Sequence, residues 1–287
     1  MSTPTSEITL KSPIFPTWCP GCGDYGIWSA IKKALSELAI PEEQLVIVFG
    51  VGCSGNMADF LRCYGFHALH GRALPVAESI KLANHGLKVL VVAGDGDTYG
   101  EGMGHFIAAC RGNHDITLLV HDNQTYGLTT GQAAPTTDQG KKTKSTPTGQ
   151  VEVPVNPVAL AVSAGASWVG RGYAGNIPLT SDLIKQAMNH KGFSVVDVFQ
   201  PCVTFNKVNT HMWYNQRVAP VDATYDRTKR ENAWAISQNH EKLALGVLFE
   251  DAAAQAYHEQ VPNLTKGPLT TQAIDHVSLK EMMSQYM

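Results

Sequence analysis

The chemistry of this chain begins with its cysteines. Of six, two form a C-x-x-C knuckle, Cys19-Pro-Gly-Cys22; a third lies in Gly50-Val-Gly-Cys53-Ser-Gly55 and a fourth in Pro201-Cys202-Val-Thr-Phe-Asn206. Four thiolates suit either Zn²⁺ or an iron–sulfur cluster, and spacing alone does not choose between them. A thioredoxin-type redox pair is disfavoured, because no strand directly precedes the Cys19 pair. Cys53 and Cys202 would also fit as buried core thiols, and that role is assigned to Cys63 and Cys110, which sit in apolar surroundings.

A second group is acidic and glycine-rich. Gly94-Asp95-Gly96-Asp97 follows an apolar run, and Asp122-Asn123-Gln124-Thr125-Tyr126-Gly127 follows another. A carboxylate and an amide oxygen are hard ligands that suit Mg²⁺, which takes its remaining ligands from phosphate and water. Gly94 and Gly96 let the backbone approach a diphosphate, and a helix starting near Gly100 offers free N–H groups to it. The competing dinucleotide fingerprint fails. Here the glycines run G-x-G-x-x-x-G, one residue too long, with an acid where pyrophosphate would approach. An isolated Gly-Asp-Gly also fits an ordinary tight turn, so the weight lies on the pairing with Asn123.

Alternating helices and strands must position these groups. Asp24 is placed to cap a helix with apolar face Ile27, Ile31, Leu35 and Leu38, ended by Pro41. Buried strands are expected over 45–49, 88–93, 116–121, 167–170 and 193–199. Helices are expected from Pro75 through Asn84, over 101–110, after the Asn156-Pro157 cap, and over 181–190. Residues 129–155, rich in Gly, Thr, Pro and Lys, read as a long functional or mobile loop. Beyond about Pro201 the chain looks irregular, with one helix near 227–238. Buried strands separated by helices imply an α/β, doubly wound, mainly parallel sheet, whose ligands bind at the carboxyl ends of the strands. Apart from the Cys19 pair, every segment above follows an expected strand.

Composition sets the outer bounds. The 287 residues carry a net charge of −3 and only 16% charged side chains, with 44% hydrophobic ones. Such a surface hints at a large interface with another subunit. Lys141, Lys142 and Lys144 are the only local basic group and read as a solvated loop, so nucleic-acid binding has no support. The polar Met1–Lys11 stretch lacks the apolar core of a signal peptide, and no apolar run is long enough for a bilayer. A cytoplasmic location is expected, with reduced cysteines.

Together these segments, with Trp18-Cys-Pro-Gly-Cys-Gly23, Leu69-His-Gly-Arg-Ala-Leu-Pro75 and Asp122 through Gln132, resemble the β subunit of 2-oxoacid:ferredoxin oxidoreductases from about Phe15 to Val218. The resemblance implies a thiamine-diphosphate-binding fold over residues 1–218, followed by a C-terminal extension over 219–287. It implies Mg²⁺ held by Asp95, Asn123 and the carbonyl of Thr125, and a [4Fe–4S] cluster on Cys19, Cys22, Cys53 and Cys202. It places cofactor contacts at Val51, Gly52, Cys53, Ser54, His70, Gly94, Asp95, Gly96, Asp97, Gly127 and Leu128, with catalytic positions at His70 and Asn56. Asn56 departs from members that have Lys there. His70 and Arg72 would also fit a plain turn paired with a surface acid.

The implied reaction is oxidative decarboxylation of a 2-oxoacid by thiamine diphosphate. Electrons pass singly through the cluster to ferredoxin, and coenzyme A takes the acyl group; the reverse reaction fixes CO₂. Gly127-Leu-Thr-Thr-Gly-Gln132 looks more like members acting on 2-oxoglutarate, giving succinyl-CoA. Thiamine activation needs a glutamate from a pyrimidine-binding domain, for which this chain has no room. An α subunit must therefore supply it, in a dimer of αβ heterodimers. The alternative is a non-redox thiamine-dependent decarboxylase or carboligase subunit with a structural zinc.

Overall fold

A computed structural model describes residues 6, 9–273, 279–284 and 286. Most of the expectation for Met1–Lys11 therefore lies outside the described residues. Among the described residues, strands β1 (Leu45–Phe49), β2 (Tyr64–His67), β3 (Lys88–Gly94), β4 (Thr117–Asp122), β5 (Trp168–Tyr173), β6 (Ser194–Phe199), β7 (Val218–Pro220) and β8 (Leu243–Glu250) form one sheet of order β2-β1-β3-β4-β6-β5-β8-β7. The first six run parallel; β8 joins β5 antiparallel.

The apolar runs arise from burial on both faces. Along β3, Leu90 and Val92 pack with α1 (Asp24–Leu38) and α5 (Ile177–Asn189). Val89 and Val91 face the other way, against α2 (Ala73–Ala83), α3 (Met103–Gly112), α4 (Pro157–Ala164) and α7 (Arg230–Ser237). Side chains alternate across a strand, so a strand covered on both faces must be apolar at every position. The doubly wound parallel sheet is as the sequence implies.

Several local expectations are corrected. Asp24 does not cap α1; Gly23 occupies the N-cap position, and the buried Asp24 carboxylate turns inward. α5 begins at Ile177 instead of 181, because Asn176 caps it by accepting the Leu179 N–H at 3.2 Å. The same device at Asn156, accepting from Ala159 at 3.1 Å, starts α4 as expected. A π-helical turn over Asp97–Glu101 precedes α3, which starts at Met103. β2, a short exposed edge strand, lies outside the expected set. So does β8, whose apolar run is broken by Gly246 at φ 134° and whose pairing with β5 shifts register between Val169 and Gly170, opposite Phe249 and Val247. The segment after Pro201 is thus less irregular than its sequence suggests. β7 starts at Val218 and pairs with β8, so the sheet continues across residue 218.

Candidate cofactor site at the carboxyl edge of the sheet

Four adjacent parallel strands, β1, β3, β4 and β6, deliver the marked segments to one edge. Every residue expected to contact a cofactor, from Val51 to Leu128, lines one open cavity there, together with Asn123, Thr125, Tyr126 and Thr129. Asn56 does not. It sits in the 3₁₀ turn Gly55–Asp59, its N–H bonded to the Gly52 carbonyl at 3.2 Å.

Asp95 is buried at 2% exposure. Its Oδ2 accepts the Gln124 N–H at 3.0 Å and the Thr136 hydroxyl. Burial pushes its carboxyl up to about 6, against the pull of the Thr136 hydroxyl and of the Gly96 and Asp95 backbone N–H groups. Gln124 takes φ 57°, rare for a non-glycine residue, and so folds 123–125 into a tight turn. Within that turn Asn123 Oδ1 accepts the Thr125 N–H at 3.0 Å, and Asn206 donates to the Asn123 carbonyl at 3.3 Å. Asp95 and Asn123 therefore meet at neighbouring strand ends, as their spacing implies.

Asp97 has a different task. Its Oδ1 faces His70 Nδ1 at 2.7 Å and accepts the Gly71 N–H at 2.6 Å, while Oδ2 accepts the Val51 N–H at 3.2 Å. Both oxygens are engaged, so Asp97 ties the β1 turn to the His70 turn. A Cβ at Gly50 would lie 1.9 Å from Asp97 Oδ2, which explains the glycine there. His70 is set by this contact, with Nε2 3.4 Å from Glu101 Oε2. Ser54 stands beside Gly94 with a buried hydroxyl that has no hydrogen-bond partner among the described residues. Unpartnered buried hydroxyls are costly, and this one fits a phosphate oxygen or a coordinated water in the cavity.

The cysteines gather next to this rim. Gly21 at φ 82° permits the knuckle, Cys22 donates its N–H to the Cys19 carbonyl at 2.9 Å, and Gly23 N–H reaches the Pro201 carbonyl at 3.1 Å. Trp18 Nε1 holds the Cys53 carbonyl at 2.7 Å. A Cβ on Gly127 would lie 3.3 Å from Cys53 Sγ and 3.8 Å from Cys202 Sγ. Burial pushes the Cys53 thiol up to about 12, helped by the charges of Asp24, Cys202, Cys19 and Asp95. Cys63 is raised to about 12 by burial alone, and Cys110 is likewise raised by burial with no cysteine acting on it. Among the described residues, no three His, Cys, Asp or Glu side chains converge on a single-ion site.

Several residues of the site carry no motif. Thr136, from the long loop, faces Asp95; Thr137 donates to the Gln124 carbonyl at 2.7 Å. Behind them Asp122, raised far above the carboxylate range by burial, lies near Arg171 and Asp197. Below the knuckle, Asp24 faces His121 Nδ1 at 2.7 Å and accepts from Gln200 Nε2 at 2.8 Å. An Asn-Gln turn followed by a Thr-rich loop is a weak signal for Thr136; nothing in the sequence pairs Asp24 with His121.

Residues 50–198 match the family described as thiamine pyrophosphate enzyme, C-terminal TPP binding domain. Residues 202–266 match a second family, the C terminal of the pyruvate ferredoxin oxidoreductase beta subunit. The chain is 42% identical to 2-oxoacid:ferredoxin oxidoreductase 2, subunit beta, of Aeropyrum pernix, over 91% of this chain and 89% of that one. The chain belongs to the 2-oxoacid:ferredoxin oxidoreductase β-subunit family. It is also 40% identical to the 2-oxoglutarate oxidoreductase subunit KorB of Mycobacterium tuberculosis, over 80% of this chain and 59% of that one. The solved 2-oxoglutarate:ferredoxin oxidoreductase of Magnetococcus marinus, with 2-oxoglutarate, coenzyme A and succinyl-CoA bound, superposes with a TM-score of 0.90 at 32% identity, covering 98% of this chain and 96% of that one. The β chain of this family has a thiamine-pyrophosphate-binding domain and works with an α partner. No helix among the described residues is long and apolar enough to cross a membrane.

Proposed function

We propose that this chain, with its α partner, catalyses CoA-dependent oxidative decarboxylation of 2-oxoglutarate to succinyl-CoA and the reverse, passing electrons through a [4Fe–4S] cluster to ferredoxin. The observation that carries this is the shared rim: β3 and β4 present Asp95 and Asn123 beside the sulfurs that β1 and β6 present, Cys53 and Cys202. Electrons leaving a thiamine site there would have a cluster as nearest neighbour. The choice of 2-oxoglutarate is supported by the KorB relatives and by the ligands of the Magnetococcus enzyme.

Asp95, Asn123 Oδ1 and the Thr125 carbonyl would hold Mg²⁺ and, through it, the diphosphate. Ser54 and the Gly94–Gly96 backbone would accommodate the phosphates. Thiamine diphosphate held there would supply the carbanion chemistry, and a cluster on Cys19, Cys22, Cys53 and Cys202 would supply one-electron redox capacity. The chain's own groups orient. Asp97 fixes the His70 ring and leaves Nε2 toward Glu101 at the edge of the cavity. Tyr126 OH donates to Glu101 Oε2 at 3.0 Å, packing beneath Gly96. Leu128, 53% exposed, gives the open side an apolar lip where the α subunit's pyrimidine-binding domain would close the site.

The test is anaerobic purification of the αβ complex, followed by iron and acid-labile sulfide analysis and paramagnetic resonance of the reduced protein. Roughly four irons and four sulfides per β chain are expected for a cubane. Ferredoxin should be reduced only when 2-oxoglutarate and coenzyme A are both present, and the chain without α should not turn over. Zinc in place of iron would overturn the redox reading. Oxidation of other 2-oxoacids but not 2-oxoglutarate would overturn the substrate. The oligomer expected is a dimer of αβ heterodimers in the cytoplasm.

A further inference from the structure

The amino edge of the sheet, opposite the cofactor rim, carries histidines that the proposed chemistry does not use. β3 and β4 are neighbouring parallel strands, so the loops that lead into them lie side by side. The loop before β3 presents His85, and the loop before β4 presents His114. After β8 the chain returns across this edge and sets two consecutive residues on them. Tyr257 stacks on His114 with ring centroids 4.3 Å apart, and His258 stacks on His85 at 4.8 Å, the planes only 11° from parallel. Two hydrogen bonds add to the hold: Tyr257 N–H donates to the Asn113 carbonyl at 3.0 Å, and Asn113 Nδ2 donates to the Gln255 carbonyl at 2.8 Å.

The stack of His85 on His258 suits neutral rings. Nδ1 of each is buried and has no hydrogen-bond partner among the described residues. In an imidazolium both ring nitrogens are donors, so a proton added to either ring leaves a buried N–H without an acceptor. Protonating both would set like charges face to face. The surroundings do not offset this. The buried Lys81 ammonium acts on His258 as a further positive charge. It holds Asp115 Oδ2 at 2.6 Å and the Leu87 carbonyl at 2.7 Å, so Asp115 is already committed. Glu259 is committed too, with Oε1 3.6 Å from Lys191 Nζ and Oε2 accepting the Ala256 N–H at 3.1 Å. His190, at the end of α5, is turned to Ser167 Oγ at 2.7 Å. Burial, then Lys81 and His85, hold His258 below the usual histidine range against the pull of Asp115 and Glu259; burial, then His258, lower His114.

We propose that these paired stacks are an acid-sensitive latch, which fixes the segment after β8 to the amino edge of the sheet while the imidazoles are neutral and releases it when they take up protons. Linkage sets the direction. Groups that bind protons less tightly when stacked than when free give a latch at full strength above the ordinary histidine value of about 6.5, weakening as pH falls below it. The latch involves no group of the cofactor site.

The test is hydrogen exchange read by mass spectrometry on the full-length chain from about pH 8 to about pH 5, corrected for the intrinsic pH dependence of exchange. Protection of peptides spanning residues 255–266 is expected to fall by about tenfold or more across that range, while peptides from β3 and β4 stay protected. His258→Phe keeps a ring in the stack but takes up no proton, so it should lose less protection than wild type; His85→Phe tests the facing ring in the same way. Wild-type protection that does not change with pH would overturn the latch, as would an acid-induced loss in both phenylalanine variants equal to that of wild type. Loss spread evenly over the whole chain would mean global unfolding and would overturn it too.

Discussion

Replacing Asp24 with alanine is expected to destabilise the chain by about 3–5 kcal/mol, the usual cost of breaking a buried pair from one side. The figure follows from what the carboxylate holds. Asp24 and His121 are fully buried, with Oδ1 2.7 Å from His121 Nδ1 and Oδ2 2.8 Å from Gln200 Nε2. Each donor left unsatisfied costs about 1–3 kcal/mol, and His121 Nε2 offers no compensation, having no hydrogen-bond partner among the described residues. Asp24→Asn keeps the acceptor toward His121 but sets an amide against the Gln200 amide, so a loss of about 1–3 kcal/mol is expected. Against a total of about 5–15 kcal/mol, the alanine variant should shift a urea-unfolding midpoint well outside error. Far-UV circular dichroism of the cluster-free chain gives the reading without interference from iron. A destabilisation below about 1 kcal/mol in Asp24→Ala would refute the claim that this buried network supports the rim.

Three further outcomes are expected. Asp95→Ala should abolish Mg²⁺-dependent thiamine diphosphate binding in calorimetry while the chain stays folded; Thr136→Val should weaken it about 10- to 100-fold, with Thr136→Ser near wild type, because Thr136 only orients the carboxylate. Unchanged affinity in Asp95→Ala would remove it from the metal site. Cys53→Ser and Cys202→Ser should lose iron, whereas Cys63→Ser and Cys110→Ser keep it, as measured by iron per chain; survival of a full complement in Cys53→Ser would break the ligand set. Mg²⁺ must displace a proton from Asp95 once pH falls below its raised value of about 6. Binding should therefore weaken toward about tenfold per pH unit below that point and level off above it, and a flat profile between pH 5 and 7 would contradict the role given to Asp95.

Local pattern is enough to specify the parallel sheet, since strands covered on both faces must be apolar at every position, as Val89–Ala93 and Leu118–Val120 are. It also locates the rim. Close-approach glycines, Asp95, Asn123, Cys53 and Cys202 each follow a strand, and the carboxyl ends of the strands of one parallel sheet face one edge. Folding settles what depends on partners far apart in the chain. Asp24 reads as a helix cap, a local role, until β4 brings His121 and β6 brings Gln200 against it. β8 escapes detection because Gly246 interrupts its run, and only pairing with β5 makes it a strand. Thr136 and Lys141 lie in a stretch whose composition says loop and nothing more. Their burial, against Asp95 in one case and with no partner among the described residues in the other, is set by how that loop folds back over the sheet edge. Periodicity and spacing encode which face a residue takes; they do not encode which distant side chain waits there.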